Sequence, residues 1–389
     1  MTTFRTICVA TGTRADYGIL LGLLRAVTSA PDRRLQIIAS AAHLSPEFGM
    51  TIGEIERDGF HVDACVEMLL SSDSAVGITK SIGLGTIGFG EVLAQLHPDL
   101  LVIPGDRYEA LAAAQAALIV RVPIAHIHGG ETTEGAFDES IRHAITKMAQ
   151  FHFVAAERYR QRVIQMGEAP ERVFNVGAPG LDNLATMDWI DLVGLESELG
   201  LRLGRPLFLV TYHPATLSDR DPMLAMDELL AALDGFPQAT VVFTYSNADP
   251  GGRSLITRIE AWVKANAGRA KAFPSLGQRR YMSLLRVADV AIGNSSSAVI
   301  EAPALKVATV NIGDRQQGRL RATSIIDAVE NRTAISAAIE RGCSPQFRAR
   351  LADTVSLYGE GGAGKKINDI LGSVQLSDRK PFFEIEHGY

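Results

Sequence analysis

The chain has 389 residues, 47% of them hydrophobic and 21% charged, with a formal charge of -6. At roughly 100–200 residues per domain, this length fits two globular domains with substantial cores, and the composition excludes disordered, collagen-like and low-complexity polypeptides. The slight acidity excludes a basic footprint over the whole molecule, so no nucleic-acid partner is expected. Cys8, Cys65 and Cys343 are odd in number and far apart. That argues against a disulfide framework or a paired-cysteine zinc site. The opening MTTFRTICVATGTRADYG lacks a signal-type apolar stretch, and no uncharged run approaches the roughly 18 residues that span a bilayer. A cytoplasmic location without a membrane partner is therefore expected.

Short β-rich runs alternate with amphipathic helical stretches, the α/β pattern of parallel sheets covered by helices. Strands are predicted over 6–10, 35–40, 100–104, 124–128 and 173–176, with helices near 17–29, 76–96, 109–120, 138–150 and 157–167. The pattern lapses into a mixed acidic stretch at 181–203, closed by Gly204-Arg205-Pro206, and restarts with strands over 207–212, 240–245, 288–292 and 308–312. Two Rossmann-like domains follow, 1–183 and 184–363, and the glycine-rich GEGGAGKK precedes a short amphipathic helix over 367–374.

In open α/β sheets ligands sit beyond the carboxyl ends of the strands, so the polar residues there carry the functional reading. The first strand runs into GTRADYG, which places Arg14 and Asp16 at a helix start that favours an anion, although a plain turn with a surface arginine reads equally well. Strand 100–104 delivers Asp106 and Arg107, and strand 124–128 leads through Glu131 to Asp138, Glu139, Arg142 and His143. Clustered carboxylates shift one another's proton affinity, which suits proton transfer, while Asp138 is the member best placed to act only as a helix cap. His126 and His128, two apart on a strand, share a face and could hold a metal with His143 or His213. Without an HExxH motif or a nearby thiolate, a buried, hydrogen-bonded His126 and a metal-free His128 lining the cleft are the favoured reading.

In the second half, His213 is fixed at a strand end by Pro214, placed as an acid, a base or a phosphate contact. The run Gly293-Asn294-Ser295-Ser296-Ser297 opens a helix that carries Glu301 one turn further on. Its serine hydroxyls and first-turn amides suit a nucleotide diphosphate, and the glutamate suits ribose hydroxyls. Arg315 follows the next strand and offers a cation to the same cleft.

With GTRADYG, PGDRYEA, HIHGGETTEGAFDESIRHAITKM, GNSSSAVIEAP and NIGDRQQGR in this order, the chain resembles the UDP-N-acetylglucosamine 2-epimerases, specifically their hydrolysing branch. The resemblance implies a glycosyltransferase-B-like fold with the active site in the interdomain cleft and a C-terminal segment, about 364–389, packing back on the first domain. It implies conversion of UDP-N-acetylglucosamine and water to N-acetylmannosamine and UDP. The diphosphate leaves C1 as the C2 proton is removed, and water then adds to the resulting 2-acetamidoglucal.

By position, Asp106, Glu131 and Asp138 resemble the family's acids and bases, with His213 assisting the leaving group. Arg14, Asp16, Arg107, Glu139, Arg142, Asn294, Ser295, Ser296, Ser297, Glu301 and Arg315 resemble substrate and nucleotide contacts. Relatives carry a glutamate where His128 stands, so its role falls here to His128 or Glu131. No cofactor and no metal are implied, the product nucleotide is UDP or GDP, and a homodimer or dimer of dimers is expected. The close rival is a hydrolysing 2-epimerase of a GDP- or UDP-linked 2,4-diacetamido-2,4,6-trideoxyglucose. A non-hydrolysing 2-epimerase, a glycosyltransferase and a non-catalytic sugar-nucleotide binder are the other readings.

Overall fold

The central strands of this chain, such as Leu100–Pro104 and Leu207–Thr211, are continuous runs buried on both faces, as parallel sheets sandwiched by helices require. A computed structural model describes residues 4–72, 74–134, 136–214, 221–246, 252–377 and 379–385. Parts of the expected C-terminal packing segment, residues 378 and 386–389, thus lie outside the described residues. The chain forms two compact units, one of Met1–Glu131, Asp138–Ala185 and Tyr358–Tyr389, the other of Thr132–Phe137 and Thr186–Leu357.

The first unit holds strands β1 (Arg5–Thr11), β2 (Arg33–Ser40), β3 (Ala64–Val66), β4 (Leu100–Pro104), β5 (Ile124–Ile127), β6 (Phe151–Val154) and β7 (Val173–Asn175). They run parallel in the order β3-β2-β1-β4-β5-β6-β7, so the winding reverses between β1 and β4. Alternate side chains feed two cores. Cys8, Ile38, Leu101 and Ile103 point to the layer of helices Ala75–Leu96 and Tyr108–Ile119. Ile7, Val9, Ile37 and Val102 point to the layer of helices Arg14–Ser29 and Ala363–Ser373. The Ala363–Ser373 helix buries Ile367 and Leu371 with Leu20 and Leu24. The Asp182 carboxylate caps its start, accepting the amides of Ala363 at 2.8 Å and Gly364 at 2.6 Å.

The second unit holds β8 (Leu207–Thr211), β9 (Thr240–Thr244), β10 (Ala270–Phe273), β11 (Val290–Gly293), β12 (Ala308–Ile312) and β13 (Ile325–Ala328), parallel in the order β10-β9-β8-β11-β12-β13. Phe208, Val210, Val241 and Phe243 pack beneath helices Pro222–Leu233, Gly252–Ala265 and Arg332–Cys343.

Several elements depart from the sequence reading. β3, β6, β10 and β13 were not anticipated, because three or four residues establish no clear period. The acidic stretch after 181 contains helices Asp182–Thr186 and Leu192–Leu199. The strand expected over 288–292 begins only at Val290, since Ala288 caps the preceding helix and Asp289 turns its carboxylate to the Leu207 amide at 2.8 Å.

Gly293 ends β11 opposite Thr211 with φ +131°, and a Cβ there would lie 2.0 Å from the Thr211 carbonyl oxygen. Only glycine allows this approach. Gly293→Ala is expected to cost about 3 kcal/mol or more in unfolding free energy. Chemical denaturation checks this, and an unshifted midpoint would contradict it.

Candidate active site

At the carboxyl edge of the first sheet the organising side chain is Arg142, on the helix Asp138–Met148. It is fully buried. One terminal nitrogen binds Asp106 Oδ2, and the other donates to Glu139 Oε2 at 2.8 Å and to the Glu131 carbonyl at 3.0 Å. Glu139 Oε1 in turn meets His143 Nε2 at 3.0 Å. The arginine expected among the ligand contacts is enclosed here as an internal counter-ion to these carboxylates. A buried guanidinium persists only where carboxylates and carbonyls surround it.

His128 and Glu131 form the second part. β5 ends at Ile127, and His128 takes φ +67°, so the face expected to be shared with His126 is lost. The turn is held open by Gly130 at φ +75°, where a Cβ would lie 2.5 Å from the Tyr159 carbonyl oxygen, and by Arg162 donating to the Gly130 carbonyl. His128 Nδ1 consequently lies 2.6 Å from Glu131 Oε1, with both side chains largely buried. His126 points elsewhere. Its Nε2 meets the Gly105 carbonyl at 2.7 Å and its Nδ1 the Thr146 hydroxyl at 3.1 Å. Burial pushes its imidazole down to about 3, so it is neutral and braces the Gly105-Asp106 turn.

The remaining predicted residues of this unit lie around the same edge. Asp138 begins the Arg142 helix and is half-buried. Arg107 Nε donates to Glu109 Oε1 at 2.8 Å, and Glu109, a buried acid that sequence reasoning missed, lies in the first turn of the helix Tyr108–Ile119. Arg14 is the first residue of the Arg14–Ser29 helix. Asp16 is the carboxylate of that helix's capping box, bonded to the Thr13 amide at 3.0 Å and hydroxyl at 2.9 Å. Among the described residues, no group of His, Cys, Asp and Glu is arranged to hold a metal.

In the second unit, His213 follows β8, and its amide and carbonyl are both taken by the Asn294 side chain, at 2.7 and 2.8 Å. The Asn294 carbonyl accepts Arg315 at 3.0 Å and Gln316 Nε2 at 2.8 Å. One buried asparagine thus binds the His213, serine and Arg315 loops together. The helix Ser297–Ala304 starts without a side-chain cap, and the Ser297 hydroxyl oxygen is buried without a partner. Ser295 and Ser296 flank it at the rim, and Glu301 is buried on the same helix. An uncapped helix start beside an arginine suits an oxyanion. A cavity of about 640 Å³ opens at the ends of β12 and β13, lined by Asp314, Gln317, Arg319, Arg321 and Glu330. Both signs of charge line it, as a polar ligand requires.

Residues 25–372 match the family model described as UDP-N-acetylglucosamine 2-epimerase. The chain is 40% identical over 344 residues to the "GDP/UDP-N,N'-diacetylbacillosamine 2-epimerase (hydrolyzing)" of Campylobacter jejuni, covering 88% of this chain and 89% of that protein. It is 35% identical over 389 residues to polysialic acid biosynthesis protein P7 of Escherichia coli, covering 97% of each. Among solved structures, UDP-GlcNAc 2-epimerase from Neisseria meningitidis bound to UDP-GlcNAc superposes with a TM-score of 0.79 at 16% identity, covering 95% of this chain and all of that one. That likeness supports the glycosyltransferase-B-like class of two Rossmann-like units.

Removing the buried cation should expose its role. Arg142→Met leaves the Asp106 and Glu139 carboxylates uncompensated, and the expected cost is about 3–5 kcal/mol by denaturant unfolding. A loss below about 1 kcal/mol would contradict the counter-ion assignment. Asp16 provides a pH test. Burial, reinforced by Glu109 and opposed by Arg107 and Thr13, raises its carboxyl to about 7. The folded state then binds this proton more tightly than the unfolded chain, so the contribution is present in acid and is lost as pH rises from about 4 to about 7. Asp16→Asn should flatten the fall in stability across that window in unfolding measured against pH.

Proposed function

The chain belongs to the UDP-N-acetylglucosamine 2-epimerase family, and on that premise we propose that it is a hydrolysing 2-epimerase of a UDP- or GDP-linked 2,4-diacetamido-2,4,6-trideoxyglucose. The products are the free 2,4-diacetamido-2,4,6-trideoxymannose and the nucleoside diphosphate. The observation that carries this reading is the 40% identity, over nearly nine-tenths of both chains, to a relative named for diacetylbacillosamine. It displaces N-acetylglucosamine as the leading substrate. The N-acetylglucosamine reading becomes the second one, favoured by the similarity to the polysialic acid biosynthesis protein.

The chemistry asks for two kinds of group. In the first step the C2–H bond breaks, its electron pair forms the C1=C2 double bond, and the C1–O bond to the diphosphate breaks. In the second, water supplies hydroxyl to C1 and a proton reaches C2 from the opposite face. Removing and returning a proton at a weakly acidic carbon needs groups on both sides of the ring. Asp106, held in place by the Arg142 guanidinium, takes the part of base. The His128–Glu131 pair, sharing one short hydrogen bond, takes the part that holds and delivers a proton.

In the second unit the uncapped serine helix, Arg315 and His213 stabilise the charge on the departing diphosphate. Glu301 receives ribose hydroxyls.

Incubation with UDP- and GDP-linked 2,4-diacetamido-trideoxyglucose and with UDP-N-acetylglucosamine tests the reading. The expected result is stoichiometric nucleoside diphosphate with a free 2-epimer, carrying deuterium at C2 when the solvent is D2O, and faster with a diacetamido substrate. Nucleotide-linked epimer would show a non-hydrolysing enzyme, and turnover only with a sugar acceptor would show a glycosyltransferase. Asp106→Asn is expected to lower kcat by about a thousandfold while the nucleotide still binds in calorimetry. Near-normal turnover in that variant would remove Asp106 from the mechanism.

A further inference from the structure

The Arg142 helix is fixed at its start by the carboxylates it organises, and a separate device holds its other end. Four helix-terminal carbonyls lack intrahelical partners and normally face water or a glycine cap. Here Lys380, far away in sequence on the segment after the last helix, reaches two of the last helical carbonyls and that of Ala149 just beyond. Its ammonium donates to the carbonyls of Ala149 at 2.7 Å, Lys147 at 2.8 Å and Thr146 at 3.5 Å. It also pairs with Glu168 Oε2 at 2.8 Å.

Glu168 is wholly buried and accepts from Lys147 Nζ at 2.5 Å and from His152 Nε2 at 2.9 Å as well. Burial alone would raise its carboxyl, yet the bonds from His152, Lys147 and Lys380 together bring it down to about 2. Two further contacts press the segment down. The Phe383 amide donates to the Gly167 carbonyl at 2.9 Å, and the Phe382 ring lies under the Lys147 ammonium at 4.9 Å.

These contacts run toward the reacting groups. Thr146, whose carbonyl meets Lys380, turns its hydroxyl to His126, and His126 holds the Gly105 carbonyl one residue before Asp106. Arg142 lies about one turn from Thr146 on the same helix and binds Asp106 directly.

We infer that residues 379–385 form a strap and that Lys380 is a positioning residue, setting the height of the Asp138–Met148 helix and through it the placement of Asp106. The assignment of a reaction to Asp106 rests on the function proposed above; the mechanical part does not.

The test compares Lys380→Met and Lys380→Arg with the unaltered protein, using turnover of the UDP- and GDP-linked diacetamido sugars and amide hydrogen exchange. Lys380→Met is expected to lower kcat by about tenfold with KM held within about twofold, because a small misplacement of a reacting group acts on the chemical step and not on nucleotide binding. Exchange should quicken at residues 142–149 while β1 and β4 keep their protection. Lys380→Arg, which retains several donors, should restore most of the rate.

Unchanged kcat and exchange in Lys380→Met would overturn the inference. So would faster exchange throughout the first unit together with a fall in rate that arginine does not repair, since that pattern marks general destabilisation. If the unaltered protein turned over none of the sugar nucleotides, the proposed reaction would fall, and the exchange data alone would still decide whether the strap sets the helix.

Discussion

The site in the first unit depends on one buried cation. Taking a guanidinium out of water costs several kcal/mol unless anions and carbonyls replace its hydration. Arg142 is enclosed, and Asp106, Glu139 and the Glu131 carbonyl replace that hydration for it. The constraint works in both directions: the cation fixes where the carboxylates stand, and the carboxylates make burial of the cation possible. Acids brought this close by two neighbouring strands and a helix would otherwise repel one another.

The second unit solves the opposite problem. The proposed function asks it to accept an anion without presenting a bare positive charge, and its loops offer mostly neutral donors for that. Asn294 ties the loops after β8, β11 and β12 into one rigid frame, leaving the start of the Ser297–Ala304 helix uncapped. Preorganised amides and hydroxyls of this kind stabilise charge that develops during a reaction, because they need little rearrangement when it appears.

Much of this was legible in the sequence because strands such as Leu100–Pro104 and Leu207–Thr211 are largely apolar runs, each followed within two residues by a polar side chain, Asp106 and His213. Asp106, Glu131, His213 and the serine run could be read from that position alone. Arg142 stands out in the sequence, but a sequence does not show that acids and a carbonyl enclose it. His128 was placed on the face of His126 because strand alternation was carried one residue too far. The positive φ that breaks it becomes apparent only with Tyr159 packed against Gly130. Glu109 and Lys380 were missed because their partners become neighbours only through folding.

The Asp138–Met148 helix carries these themes together. Its first turn is acidic, with Asp138 and Glu139, and its last turn carries Lys147, with Lys380 docked on the final carbonyls. Both ends therefore complement the helix macrodipole, which places positive partial charge at the start and negative at the finish. Complementary charge at each terminus resists sliding along the axis, and sliding is the motion that would separate Arg142 from Asp106. In the proposed reaction this helix holds a carboxylate in register with a weakly acidic carbon, and fixing it at both ends serves that better than added apolar packing, because packing forces are non-directional and hydrogen bonds are not.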